Sequence, residues 1–265
     1  MLWGLIMRLS GLLLGWMLGV GSAMAFAAPA VPAQVASDVA PLGLTLQIWR
    51  SAEARAPAVL VLHGCGGVGA HDREWAQRLQ AWGYTAVVVD SFSGRTSDNV
   101  CLRRSVSPRQ RAQDAQEVAA WVKQQPWSDG RVAAVGFSHG GLSLLMAAAS
   151  KGVAPDSRQA LDAVVAYYPL CLSAQAYPFE RDVPLQIHIG QIDDWTPAQR
   201  CPDLVQRWHM SDQYFEYEAA HHGFDRKAVD RLVRGRGGLH VLRSKPDAAA
   251  LSFERAQAFL DEHLH

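Results

Sequence analysis

The sequence has no excess of either charge: Lys and Arg together number 25, and so do Asp and Glu. That balance gives no basis for nucleic-acid binding or for a polybasic membrane anchor. Cysteine is scarce, at four residues. No further histidine or cysteine stands at ligand spacing from His63 and Cys65, so neither a metal site nor a cofactor is expected. Internal repeats and heptads are missing, which excludes solenoids and coiled coils. Long apolar runs are missing too, apart from one at the N-terminus.

That run includes Leu12, Leu13, Leu14, Trp16, Met17, Leu18 and Val20 and follows the lone early charge of Arg8. Gly11, Gly15, Gly19 and Gly21 interrupt it, and it is shorter than the roughly 20 residues of a membrane span. Ala23-Met24-Ala25 then supplies an A-x-A cleavage pattern. Residues 1–25 therefore read as a secretory signal peptide, with no stable span after cleavage. No cysteine lies near the cleavage point to carry a lipid. Residues 26–40, rich in Ala, Pro and Val, read as a flexible leader. An exported protein, periplasmic or secreted, meets an oxidising compartment, so the four cysteines are candidates for two disulfides. Cys65 and Cys101 lie in loops after successive strands, as do Cys171 and Cys201, and those two pairings are the expectation.

What is present from residue 41 to 265 is alternation. Ala58–Leu62 and Thr85–Val89 are continuous apolar runs, as strands buried on both faces should be. Leu44–Ile48 alternates like a half-exposed strand. Helical patterns cover Asp72–Trp82 and Ser107–Gln125, the second opened by an N-cap serine followed by proline. Arg131–Phe137 reads as a strand running into a helix over Leu142–Ala149. Strands at Ala163–Tyr168, Leu185–Ile189 and Gln213–Tyr217, a helical stretch over Pro197–Met210, and a closing helix over Ala248–His263 complete the pattern. Repeated strand–helix units without a linker predict a single α/β domain, a mostly parallel twisted sheet with helices on both faces.

Open α/β sheets place their chemistry at the carboxyl ends of the strands. Gly136-Phe137-Ser138-His139-Gly140 sits at one such end, between strand and helix. Its glycines allow the tight turn that presents a serine hydroxyl at a helix N-terminus. An alcohol needs a base to become a nucleophile, and Ala220-His221-His222-Gly223 offers two histidines. The base needs an orienting acid, and Gly190-Gln191-Ile192-Asp193-Asp194 offers two carboxylates, one of which could instead cap the helix opening near Pro197. The order Ser138, acid, histidine is that of α/β-hydrolases. An oxyanion hole would take the N–H of His139 and, from the loop His63-Gly64-Cys65-Gly66-Gly67, that of Cys65. Trp195, Tyr168 and Phe92 follow strand ends and are candidates for an apolar pocket.

Together, His63-Gly64-Cys65-Gly66-Gly67, Asp90-Ser91-Phe92, Gly136-Phe137-Ser138-His139-Gly140-Gly141, Gly190-Gln191-Ile192-Asp193 with Pro197, and His222-Gly223-Phe224 resemble the dienelactone hydrolase family. The resemblance favours Asp193 over Asp194 and His222 over His221. It implies an α/β-hydrolase fold and hydrolysis of a small-molecule carboxylic ester or lactone. It also implies arginines for a substrate carboxylate, for which Arg226 and Arg95 are candidates alongside Trp195. Founding members of that family carry cysteine where Ser138 stands and an acidic residue where Gly64 stands, so this chain fits a conventional serine triad. The competing readings are a serine peptidase of the prolyl oligopeptidase type, whose propeller domain has no counterpart here, and a non-catalytic binding protein on the same fold.

Overall fold

The computed structural model describes residues 34–36, 43–149, 160–172, 181 and 183–265, the first three by their backbone. The signal-peptide segment and most of the leader lie outside the described residues. Among the described residues no helix is long and apolar enough to cross a membrane.

An eight-stranded sheet has the order β1-β2-β4-β3-β5-β6-β7-β8. Its strands are β1 (Gln34–Ala36), β2 (Thr45–Trp49), β3 (Ala56–Leu62), β4 (Thr85–Asp90), β5 (Ser128–Phe137), β6 (Ala163–Tyr167), β7 (Leu185–Gly190) and β8 (Tyr214–Tyr217). The β1–β2 and β2–β4 pairings are antiparallel, and β4-β3-β5-β6-β7-β8 is parallel throughout. Every residue of β3, β6 and β7 is buried, as a parallel sheet covered on both faces requires. The polar members of β7 are paired internally. His188 Nδ1 is 2.9 Å from the Tyr217 hydroxyl, and His188 Nε2 is 2.7 Å from Gln186 Oε1.

The helices are α1 (Ala70–Ala81), α2 (Val100–Arg103), α3 (Pro108–Lys123), α4 (His139–Ala148), α5 (Pro202–Arg207) and α6 (Pro246–Leu264). Ser107 caps α3 by accepting from Gln110 N at 3.1 Å, with Pro108 in the first turn, an arrangement that satisfies one otherwise orphaned donor. The chain leaves β3 through α1 to β4 on one side, then returns through α3 to β5 on the other. Right-handed crossovers therefore put α1 on one face of the sheet and α3 and α4 on the opposite face. Phe253 of α6 meets Trp75 of α1 at 5.3 Å between ring centroids, joining those two helices. The reversal of direction around β3 opens a crevice at the carboxyl ends of β3 and β5, where open α/β sheets bind ligands.

Three features differ from the sequence reading. Residues 34–36, placed in the flexible leader, form the edge strand β1 against β2. The short helix α2 follows β4. A hairpin of β9 (Asp230–Gly235) and β10 (Gly238–Arg243) lies beyond β8 as a separate two-stranded sheet, so β8 is not the last strand of the chain.

The segment after β8 is pinned to α1 by a buried carboxylate. Asp225 accepts from His71 Nε2 at 2.7 Å, Trp75 Nε1 at 2.8 Å and the Tyr168 hydroxyl at 2.9 Å. Burial alone would push this carboxyl up, but the charge and hydrogen bond of His71, helped by Trp75 and Arg226, hold it down at about 2. The folded value lies below the ordinary ~3.9 of an unfolded Asp. Its stabilisation is therefore present above about pH 4 and is lost as pH falls towards 2. Chemical denaturation from pH 7 to pH 2 should give Asp225→Asn a lower stability at neutral pH and a flatter acid limb than the parent.

Packing makes a second demand at α4. A Cβ on Gly140 would stand 2.2 Å from the Leu62 carbonyl oxygen, whereas one on Gly66 would meet nothing within 4 Å. Gly140→Ala should cost about 1–3 kcal/mol in urea unfolding, and Gly66→Ala should leave stability close to the parent value.

Candidate active site

Ser138 is the whole connection between β5 and α4. Its φ of 54° with ψ of −110° is a conformation that side chains rarely adopt. Backbone hydrogen bonds hold it there: Ser138 N donates to Tyr167 O at 2.9 Å, and Leu142 N donates to Ser138 O at 2.9 Å. The flanking glycines are required by close approach. A Cβ on Gly136 would lie 2.7 Å from Gly140 O, and one on Gly141 would lie 2.9 Å from Tyr167 O. Ser138 is half-buried at the wall of a cavity of about 530 Å³.

Asp193 and His222 meet at 2.7 Å between Oδ2 and Nδ1, both buried. Asp193 Oδ1 accepts from Trp195 N and Thr196 N, each at 2.8 Å, and Thr196 Oγ1 stands 2.9 Å from Oδ2. Burial pushes the Asp193 carboxyl up, but His222 and these loop donors outweigh it and hold it below the usual carboxylate range. An ionised Asp193 makes Nδ1 of His222 the donor, which leaves Nε2 free to take a proton. The His222 ring packs between Tyr168, at 4.5 Å, and Trp195, at 5.0 Å. Trp195 and Thr196 also line the Ser138 cavity. Among the described residues no hydrogen bond joins Ser138 Oγ to His222; Ser138 lines the cavity, and His222 touches Trp195 and Thr196, which also line it.

The alternatives at each doublet separate by position. His221 has its Nδ1 buried without a partner, while His222 takes the carboxylate. Asp194 does not cap the following helix. It turns outward and accepts from Val241 N at 3.1 and 3.2 Å, tying β10 to the acid loop.

The loop after β3 is supported from beneath. His63 is buried, with Nδ1 2.7 Å from Gly64 O and Nε2 accepting from Ser91 N at 3.2 Å. That geometry assigns the proton to Nδ1 of a neutral ring. Burial first, and Arg111 second, push its pKa down to about 3. Arg111 is itself fully buried, and burial lowers it to about 10. Its Nη2 donates to His63 O at 2.8 Å and its Nη1 to His139 Nδ1 at 2.9 Å. One guanidinium therefore braces the loop before Cys65 and the residue after Ser138. The structure bonds Cys65 to Cys101 and Cys171 to Cys201, and it leaves no free cysteine among the described residues.

Arg95 and Arg226 do not line the Ser138 cavity. Arg95 makes a two-point contact with Asp114, at 2.6 and 3.0 Å. Arg226 lies with Asp225 beside a different, smaller cavity of about 270 Å³. Its mostly buried guanidinium is drawn by Tyr168, Asp225 and Asp72, as a desolvated cation needs compensation. Of the aromatic candidates, Trp195 reaches the cavity, whereas Tyr168 supports His222 from behind and Phe92 packs with Val100 and Val106. The cavity is bordered instead by Arg104, Arg200 and Arg236, all exposed, above an apolar wall that includes Leu142, Met146 and Leu170. Those three arginines come from α2's end, a 3-10 turn at Ala198–Arg200 and the β9–β10 turn; no spacing in the sequence connects them. Among the described residues no group of three His, Cys, Asp or Glu is placed to hold a metal ion.

Comparison with known proteins agrees with this layout. The model of the dienelactone hydrolase family matches residues 45–264. A carboxymethylenebutenolidase of Pseudomonas putida is 27% identical over 225 residues, covering 79% of this chain and 87% of that protein. Among solved structures, a protein assigned as a dienelactone hydrolase in Klebsiella pneumoniae subsp. pneumoniae superposes with a TM-score of 0.67 at 19% identity, covering 88% of this chain and all of that one (100%). A dienelactone hydrolase-like promiscuous phosphotriesterase from metagenomic libraries gives 0.64 at 19% identity, with 89% and 100% covered. These structural likenesses carry the α/β-hydrolase fold. The match across nearly all of the described chain carries more: the protein is a hydrolase that belongs to the dienelactone hydrolase family.

Proposed function

We propose that the protein cleaves a carboxylic ester or lactone through an acyl intermediate on Ser138. The observation that carries this reading is the buried Asp193–His222 pair, 2.7 Å apart, held by an acid loop whose Trp195 and Thr196 line the Ser138 cavity. In the proposed sequence Ser138 Oγ attacks the carbonyl carbon while its proton passes to His222 Nε2. The negative charge that develops on the carbonyl oxygen is met by the N–H groups of His139 and Cys65. Collapse expels the alcohol, which takes the proton from His222. A water molecule then gives its proton to the same nitrogen, attacks the acyl carbon and restores Ser138. Asp193 keeps the imidazole in one tautomer and offsets its charge.

The cavity also suggests which ester. Apolar side chains line its wall, and three exposed guanidiniums border it, so a compact ester or lactone with an anionic group fits better than a neutral peptide. The two disulfides support export to an oxidising compartment, with the catalytic domain running from β1 at Gln34 to the end of α6.

A fluorophosphonate probe should label the parent protein and fail to label Ser138→Ala. With p-nitrophenyl esters, Ser138→Ala and His222→Ala should each lower kcat by about three to six powers of ten. Labelling that persists in Ser138→Ala would remove the serine as nucleophile, and an unlabelled parent would favour a non-catalytic role. For the substrate class, Arg104→Ala or Arg236→Ala should raise KM about two- to fivefold for a carboxylate-bearing ester and leave a neutral ester unchanged. Added salt should narrow that difference.

A further inference from the structure

Glycine makes up three of the five residues in His63–Gly67, so the loop's own backbone resists deformation weakly. Packing adds little on one side, since a Cβ on Gly66 would find open space. Yet this loop carries the Cys65 N–H, which no hydrogen bond uses among the described residues and which is free for an oxyanion. Displacing such a donor by an ångström is enough to lose much of its effect. Arg111 and the His63 ring fix the loop up to Gly64. At Cys65 itself the fixing contact is covalent: its sulfur is bonded to Cys101 in α2.

The other end of that bond is well anchored. Leu102 N and Arg103 N both donate to Asn99 O at 3.0 Å, and Arg236 N of the β9–β10 turn donates to Cys101 O at 3.1 Å. Val100 packs with Phe92 and Val106 in a small apolar cluster separate from the main core. Both cysteines line the same cavity as Ser138. The bond thus runs along the wall of the reacting site, from the residue that carries the donor to a braced element.

We propose that the Cys65–Cys101 disulfide is a positioning element of the oxyanion hole, so that the enzyme becomes active only when this bond has formed. The proposal rests on Ser138 as nucleophile and Cys65 N–H as oxyanion donor. A chain held in a reducing compartment would fold its sheet and dyad but carry a loose donor; after export, exchange with a disulfide oxidant, which takes the two electrons and two protons and leaves as a dithiol, would complete the site. Thiol–disulfide exchange reverses this: a dithiol reductant is oxidised to its cyclic disulfide while Cys65 and Cys101 each recover a thiol proton.

The test compares the full-length parent, Cys65→Ser/Cys101→Ser and Cys171→Ser/Cys201→Ser on a p-nitrophenyl ester and on its thiono analogue. Sulfur is a weak acceptor, so an intact oxyanion hole should favour the oxygen ester. The first double variant should keep its circular dichroism and lose about 100-fold in kcat, with KM within about twofold, and its preference for the oxygen ester should collapse. The second should keep that preference even where its Tm falls. As a measurement free of mutation, folded parent is titrated with dithiothreitol while mass spectrometry follows each disulfide; activity should fall in step with opening of Cys65–Cys101 and return on reoxidation. A parent-like kcat with this bond absent overturns the proposal, and so does a loss of activity that leaves the oxygen-ester preference intact, which would mark the bond as merely structural. Failure of the Ser138 reading looks different, because the oxidised parent itself would then show no labelling at Ser138.

Discussion

The constraint on which the rest of the structure depends is the single-residue connection at Ser138. A side chain held at φ 54° and ψ −110° carries a strain of about 1–3 kcal/mol, and the surroundings must impose it. They do so from two neighbouring strands. Tyr167 O of β6 takes the Ser138 N–H, and Leu62 O of β3 lies where a Cβ on Gly140 would have to be. Helix α4 is thereby pressed against the ends of β3, β5 and β6 together. That contact is possible only because β3 lies beside β5 in the sheet, which the reversal of chain direction around β3 produces. Sheet order, glycine positions and the half-buried serine are one arrangement.

Two buried charges carry the geometry outward from that turn, on opposite faces of the sheet. Arg111, on α3, holds the loop after β3 and the His139 ring. Asp225 ties the segment beyond His222 to Trp75 and His71 on α1. Each is an ion in a dry environment, where an unpaired charge costs several kcal/mol. Neither can move without leaving partners unsatisfied, and that is what makes them rigid supports. The desolvation that brings Arg111 down to about 10 also keeps His63 and His139 neutral, since a protonated imidazole beside a buried guanidinium would meet a like charge. The dyad is arranged in the opposite sense: Asp193 stays ionised because Trp195, Thr196 and His222 all donate to it.

Much of this was legible in the sequence, for physical reasons that differ between elements. Strands β3, β4 and β6 could be read because burial on both faces leaves an uninterrupted apolar run. The order of a serine, an acid and a histidine could be read because loop chemistry at strand ends is local and ordered along the chain, whereas the choice of Asp193 and His222 within each doublet came from the family resemblance. The β9–β10 hairpin was not legible. Its segment is rich in arginine and glycine and mostly exposed along β9, so it lacks the alternation that one buried face would impress. Arg95, Arg226 and Asp194 were misplaced for a related reason. Charged side chains take partners distant in sequence, and Asp114 for Arg95, Tyr168 and Asp72 for Arg226 and the β10 backbone for Asp194 leave no mark on the residues around them. The edge strand β1 lay hidden in an Ala-, Pro- and Val-rich stretch, because three residues are too few to show a period.

The hairpin also explains how the site is finished. Its inner face presents Gly235 to the Trp195 ring, where a Cβ would come within 2.5 Å, and stacks His240 on the same indole at 4.9 Å. Trp195 in turn lies against His222. Arg243 N donates to His222 O at 3.2 Å, and Arg236 N donates to Cys101 O at 3.1 Å. One small sheet therefore touches the acid loop, the histidine loop and the element bonded to the loop after β3, while contributing Arg236 to the cavity. Ser138, Asp193 and His222 are positioned from the large sheet, and the hairpin borders the space beside them. Substrate range in this fold should then vary with residues 230–243 more than with the strands that hold Ser138, because changes there reshape the wall and leave the strained turn and its two buried charges untouched.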